Sequence, residues 1–252
     1  MPTNETKKTA SSLESIPGPV QNAVPDGSPH GALQPAFACD LGLMDYAEAY
    51  ALQQRLQAEQ IAGARKPTIL FVEHPPTITV GRRGAADEVV APTAVLQARG
   101  VTVTETDRGG QVTYHGPGQI VCYPLINVEK LGLHEYLRLL EEAVIRTLAH
   151  WGIEGYRVEG RTGVWVGKEK ICAMGIRVRK WWAIHGLALN VTTDLNHFGL
   201  IIPCGIRDRG ITSVQKILKE GTPPIQDVRR ELQRHLGELL HFQLEEVDKT
   251  SL

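Results

Sequence analysis

Between Arg108 and Leu125 the chain reads RGGQVTYHGPGQIVCYPL, four glycines, an arginine and a histidine leading into an apolar run. Glycine loses more conformational freedom on folding than any other residue. A cluster of it marks turns with φ > 0 or backbone held close to something else. A loop cradling phosphate is one reading, because glycines let backbone N–H groups face an anion. The GxxxxGK(S/T) signature is absent, however, and no dinucleotide fingerprint opens a helix here. A plain strand-to-strand turn is the other reading. Arg108, Thr113, Tyr114 and His115 crowded into one loop favour a binding surface.

Working outward, VTVTET before the loop alternates as a strand, and QIVCYPLIN after it alternates as another. Upstream, MDYAEAYALQQRLQAEQIAG predicts a helix with Ala49, Leu52 and Leu56 on one face and a stop at Gly63. PTILFVEH and TITVGRR follow as strands, and PTAVLQARG as a short helix opened by Pro92. Downstream, LHEYLRLLEEAVIRTLAHWG repeats Leu137, Leu140, Val144, Leu148 and Trp151 at helical spacing. GVWV, EKICAMGIRV and AIHGLALNV read as strands, the first two joined by a hairpin turn at Gly167-Lys168. IQDVRRELQRHLGELLHF predicts a last helix. With no internal repeat and no regular βαβα alternation, the expected class is α+β, with a mixed, largely antiparallel sheet packed with helices.

The 252 residues suffice for one sizeable core. Residues 1–36 are rich in Pro, Ser, Thr, Asn and Gly and are expected to be a disordered tail, leaving 37–252 as a single domain. An organelle transit peptide fits less well, since the first thirty residues contain no Arg and carry Glu5, Glu14 and Asp26. No apolar run approaches a bilayer span. A net charge of −1 argues against a nucleic-acid binder driven by phosphate neutralisation. The cysteines Cys39, Cys122, Cys172 and Cys204 form no C-x-x-C pair, so no zinc ribbon or redox motif is indicated. Reduced thiols in a cytoplasmic protein are the natural reading.

Two cysteines are candidate nucleophiles. Cys204 stands between Pro203 and Gly205 in IIPCGI, a turn that can present a thiol beside open backbone N–H groups. Cys172 lies two residues from Lys170, on the same face of an ideal strand and beside an ammonium. Either thiol can equally be a small core hydrophobe, as Cys122 is expected to be. The residues alone leave the choice open. His185 in AIHGLALN is a core histidine or a site residue. Arg177, Arg179 and Lys180, followed by Trp181 and Trp182, read as a solvated strand face on which an acidic protein can dock, and Arg207 and Arg209 extend it.

Taken together and in order, RGGQVTYHGPGQIVCYPLIN, the lysine preceding ICAMGIRVR, HGLALNV and PCGI resemble the lipoyl(octanoyl) transferases. The resemblance is dense from Arg108 to Gly205 and extends from about Leu41 to Phe242. It implies a fold like the catalytic domains of biotin and lipoate protein ligases. It also implies transfer of an octanoyl group from octanoyl-acyl carrier protein to a lysine of lipoyl domains, those of 2-oxoacid dehydrogenase complexes and of the glycine cleavage H protein. By that resemblance the nucleophile maps to Cys204 and the active-site lysine to Lys170, with no metal or cofactor. The substrate-binding positions map to Arg108, Gly109, Gly110, Gln111, Val112, Thr113, Tyr114 and His115, to Ala173, Met174 and Gly175, and to Gly186, Leu187 and Ala188. An ATP-dependent lipoate or biotin ligase on the same fold, and a non-catalytic module binding the carrier or lipoyl domains, are the alternative readings.

Overall fold

The computed structural model describes residues 32–202 and 210–252. Eight strands form one mixed sheet: β1 (Gln34–Leu43), β2 (Thr68–Glu73), β6 (Gln119–Leu125), β7 (Tyr156–Val158), β8 (Arg161–Val166), β9 (Glu169–Arg179), β10 (Trp182–Asn190) and β11 (Phe242–Glu246). Their spatial order is β11-β1-β2-β6-β10-β9-β8-β7. Pairing is antiparallel from β2 across to β7, and only the β11–β1 and β1–β2 pairs are parallel. A second sheet, in the order β4-β3-β5, contains β3 (Thr77–Val80), β4 (Thr102–Glu105) and β5 (Val112–His115). The helices are α1 (Tyr46–Ile61), α2 (Thr93–Ala98), α3 (Leu133–His150), α4 (Val214–Leu218) and α5 (Ile225–Leu239). The α+β class and the largely antiparallel sheet are as the sequence predicts.

The large sheet is covered on both faces, which explains why β6 is buried at all seven positions instead of alternating. Ile69 and Phe71 of β2 and Ile120 and Cys122 of β6 join the core made by α3 and α5. The intervening Leu70, Val72, Val121 and Tyr123 join a second core with Ala49 and Leu56 of α1. Successive side chains of a strand point to opposite faces, so a central strand sandwiched by helices is apolar throughout. The Gly167–Lys168 turn joins β8 to β9 with Gly167 at φ +56, as expected.

Three features depart from the sequence reading. β1 begins at Gln34, so residues 34–36 belong to the sheet and the domain starts before Phe37; its neighbour β11 lies two hundred residues downstream. β5 is a strand inside what reads as a glycine loop, paired with β3. On α1 the buried face is as much polar as apolar, with Gln53, Gln57 and Gln60 beside Tyr46, Ala49 and Leu56, while Leu52 is only partly buried. The glutamines satisfy backbone groups of the sheet. Gln53 accepts from the His185 N–H (2.8 Å), Gln57 donates to the Trp182 carbonyl (2.8 Å) and Gln60 to that of Leu125 (2.9 Å). Buried polar side chains are tolerated when they are paired in this way.

Candidate active site

A cavity of about 540 Å³ opens between the glycine loop, β9 and β10. Its walls include Arg108–Gln111, Thr113 and His115, then Ala173–Ile176 of β9 and His185–Ala188 of β10. Of the expected substrate-binding residues, only Val112 and Tyr114 face elsewhere. They alternate with Thr113 and His115 on β5 and pack with Ile78, Leu96 and Phe198 in a third core. A strand gives one face to the cavity and the other to that core.

The glycines of the loop answer first to the protein's own backbone. Gly109 N–H donates to the Ile176 carbonyl at 3.0 Å. A Cβ on Gly175 would overlap the Gly109 carbonyl oxygen, and one on Gly81 would lie 2.6 Å from that of Gly110. Arg108 is buried and tied inward: it donates to Thr79 Oγ1 (2.9 and 3.1 Å), to the Thr79 carbonyl (2.8 Å) and to the Gln111 carbonyl (2.7 Å). These contacts shape the loop into a wall pressed against β9.

Lys170 forms the wall at one end. Its side chain is 7% exposed, its Nζ donates to the Thr162 carbonyl at 3.2 Å, and the ammonium lies 4.8 Å from the centre of the Trp165 ring. Six residues further along β9, Ile176 pairs with His185, so the cavity runs roughly 20 Å along the strand at about 3.3 Å per residue. Met174, Leu187, Val121 and Leu137 supply apolar wall.

At the far end, buried imidazoles and phenols bond to one another. His185 Nε2 lies 2.8 Å from Asp107 Oδ1, while Asp107 Oδ2 accepts from Tyr50 Oη (2.6 Å) and pairs with Arg177 (2.5 Å). Burial would raise the Asp107 pKa, but Tyr50, His185 and Arg177 hold it below the usual range. Burial lowers the pKa of His185 against the pull of Asp107. His115 bonds to Gln119 Oε1 (2.8 Å) and stacks on Tyr46. Burial, with His74 and Arg108 nearby, pushes its pKa down to about 3. His74 meets Tyr123 Oη at 2.8 Å. The imidazoles here are therefore neutral at pH 7.

The sequence reading missed Asp107, Tyr46, Tyr50, His74 and Tyr123. One signal was present: Tyr46, Tyr50, Gln53 and Gln57 recur at helical spacing beside the apolar face of α1. Arg177 belongs to the Asp107 cluster instead of a solvated face, whereas Arg179, Lys180 and Trp181 are exposed at the β9–β10 turn.

The three thiols among the described residues are buried in cores. Cys39 is pushed up to about 11, first by burial and then by Asp40 and Asp248, and burial drives the Cys122 and Cys172 thiols up as well. Cys172 does not share the cavity face with Lys170. A register shift between Val164 and Trp165 of β8, opposite Cys172 and Lys170, interrupts the alternation, and Cys172 packs in the core with Ile171 and Val164. Cys204, Arg207 and Arg209 lie outside the described residues. Downstream, the Gly210 carbonyl accepts from the Lys170 N–H and the Thr212 N–H donates back to the Lys170 carbonyl, each at 3.0 Å.

The architecture and this site define a class. A bi-partite lipoate protein ligase from Thermoplasma acidophilum has the same fold, with a TM-score of 0.67 at 19% identity over 85% of this chain and 87% of that one. So does a lipoate-protein ligase A bound with ATP (0.68, 20%, 86% and 89%). Residues 45–237 match the lipoyl protein ligase A/B catalytic domain. Sequence relatives narrow it. The octanoyltransferase of Chloroflexus aggregans is 49% identical over 75% of this chain and 87% of its own, and that of Caldicellulosiruptor saccharolyticus 43% over 85% and 92%. The chain belongs to the octanoyltransferases, acyltransferases of the lipoyl protein ligase A/B family.

Proposed function

We propose that the protein transfers an octanoyl group from octanoyl-acyl carrier protein to a lysine amine of a lipoyl domain, through a thioester on Cys204. The observation that carries this reading is Lys170, a buried ammonium on the wall of a partly apolar cavity. Burying about six methylenes of the acyl chain at about 0.8 kcal/mol each supplies roughly 5 kcal/mol of binding. Support for Cys204 comes from the family membership, and from the burial of the three described thiols in cores with raised pKa values. Gly210, bonded to the Lys170 backbone, stands six residues from Cys204 in sequence.

A free thiol titrates near about 8.5, and a neighbouring ammonium favours its thiolate. The Cys204 thiolate attacks the donor thioester, and the carrier's sulfur leaves and takes a proton from the Lys170 ammonium. The lysine, now neutral, accepts a proton from the acceptor amine as that amine attacks the acyl-enzyme. Cys204 leaves as thiolate, and the ion pair is restored. The donor is already an activated thioester, so no adenylate is required.

The test is intact mass after incubation with octanoyl-acyl carrier protein in the absence of ATP. Wild type and Cys172→Ala should carry one octanoyl group, and Cys204→Ala none. An adduct on Cys204→Ala, or a requirement for ATP, would sink the reading.

A further inference from the structure

The Thr162–Gly163 peptide group touches two charged side chains at once. Its carbonyl oxygen accepts from Lys170 Nζ at 3.2 Å, and its N–H donates to Glu141 Oε1 at 2.9 Å. Glu141 stands in the middle of α3 and is 1% exposed. Its other oxygen accepts from Arg138 at 2.7 Å and faces Arg157 Nε at 3.3 Å. Gly163 lies at φ +121, and a Cβ there would be 2.5 Å from the Cys172 carbonyl oxygen. The peptide therefore holds an orientation that only glycine permits, with Lys170 Cε resting 3.5 Å from the position of that Cβ.

We propose that Glu141 is a positioning residue for Lys170 and acts on it through this single peptide group. A hydrogen bond to a carboxylate is stronger than a neutral one, and hydrogen bonds in series polarise one another. The carboxylate draws on the Gly163 N–H, the Thr162 carbonyl becomes a better acceptor, and the ammonium is aimed along the cavity wall. The Trp165 ring supports the same charge from beneath. The two ends of the relay come from α3 and β9, and the peptide between them from β8. No local sequence pattern joins the three.

This inference rests on the role given to Lys170 above, and the experiment separates the two. Single-turnover octanoyl loading and the pH dependence of alkylation at Cys204 are measured for Glu141→Gln, Lys170→Gln and the double variant, with circular dichroism as a check on folding. Misplacing the lysine by an ångström is expected to slow loading at neutral pH roughly ten- to a hundredfold. The Cys204 alkylation midpoint should move to higher pH. In the Lys170→Gln background, adding Glu141→Gln should change neither quantity. Should Glu141→Gln fail to fold, Glu141→Asp, which keeps the charge for both arginines but withdraws it from Gly163, should show the same coupling. Wild-type behaviour of the folded Glu141 variant, or an equal defect in both backgrounds, would assign the carboxylate to the fold alone. Wild-type loading by Lys170→Gln would overturn the role of Lys170, and the relay with it.

Discussion

At one end of the cavity an ammonium meets a single backbone carbonyl among the described residues, together with an indole face. At the other end, His115 and His185 face partners from α1, β6 and the glycine loop. Both ends are polar, yet they are handled in opposite ways. The far end spends its polar groups on one another: imidazoles lose their charge, and the Asp107 carboxylate is matched by Arg177. Lysine has three N–H donors, and at the near end one is assigned to Thr162, which leaves capacity directed at the cavity. Burying a charge is expensive unless it is paired and hydrogen-bonded. On the function proposed above, the Lys170 end carries the chemistry and the far end is architecture that shapes the acyl site.

The sharpest way to break this contrast is at Lys170. Lys170→Arg keeps a charge but does not readily release a proton, so it should load octanoyl and pass it on slowly. Lys170→Gln should already be slow at loading. Acid–base roles are worth about 10²–10⁴ in rate, about 3–5 kcal/mol of barrier. Single-turnover loading and transfer, measured separately, distinguish the two. Equal rates for both variants would show that charge and proton transfer are not separable here.

Between the ends, Gly175→Ala drives a methyl group into the Gly109 carbonyl and should cost about 1–3 kcal/mol, the usual range for overpacking. Thermal unfolding and the affinity for an octanoyl donor should both weaken, because the glycine loop must lift from β9. Unchanged affinity would mean that this loop does not contact the acyl group.

The far end should reveal itself through pH. The pKa of His115 falls from 6.5 to about 3 on folding. Between those values the unfolded chain holds a proton that the folded one lacks. Stability is therefore full above pH 6.5 and declines as the pH falls, by about 1.4 kcal/mol per unit for one proton. His115→Asn should flatten the slope of stability against pH by up to one proton. A slope identical to that of wild type would place a proton on the native imidazole.

The smallest effect is expected from removing residues 1–31. Their composition offers no core-forming face, so melting temperature and transfer rate should stay close to those of the full chain. A large loss of either would show that this segment docks on the domain.

Much of the fold was written locally. The apolar spacing of α3, the Gly167–Lys168 turn and the strand patterns of β2, β8 and β10 each depend on near neighbours, and each was legible. So was the order of motifs that places Lys170, the glycine loop and HGLALN in one family. What the tertiary structure alone decided has a common cause, which is pairing over long separations. β1 is a strand because β2 and β11 flank it, and the polar face of α1 is buried because its glutamines meet the ends of β6 and β10. Cys172 left the face of Lys170 through a register shift in the β8–β9 pairing, and Glu141 reached Lys170 through a peptide of a third element. Composition and period report what a residue prefers. Only the assembled chain supplies the partner that makes a buried charge or an unpaired backbone group affordable.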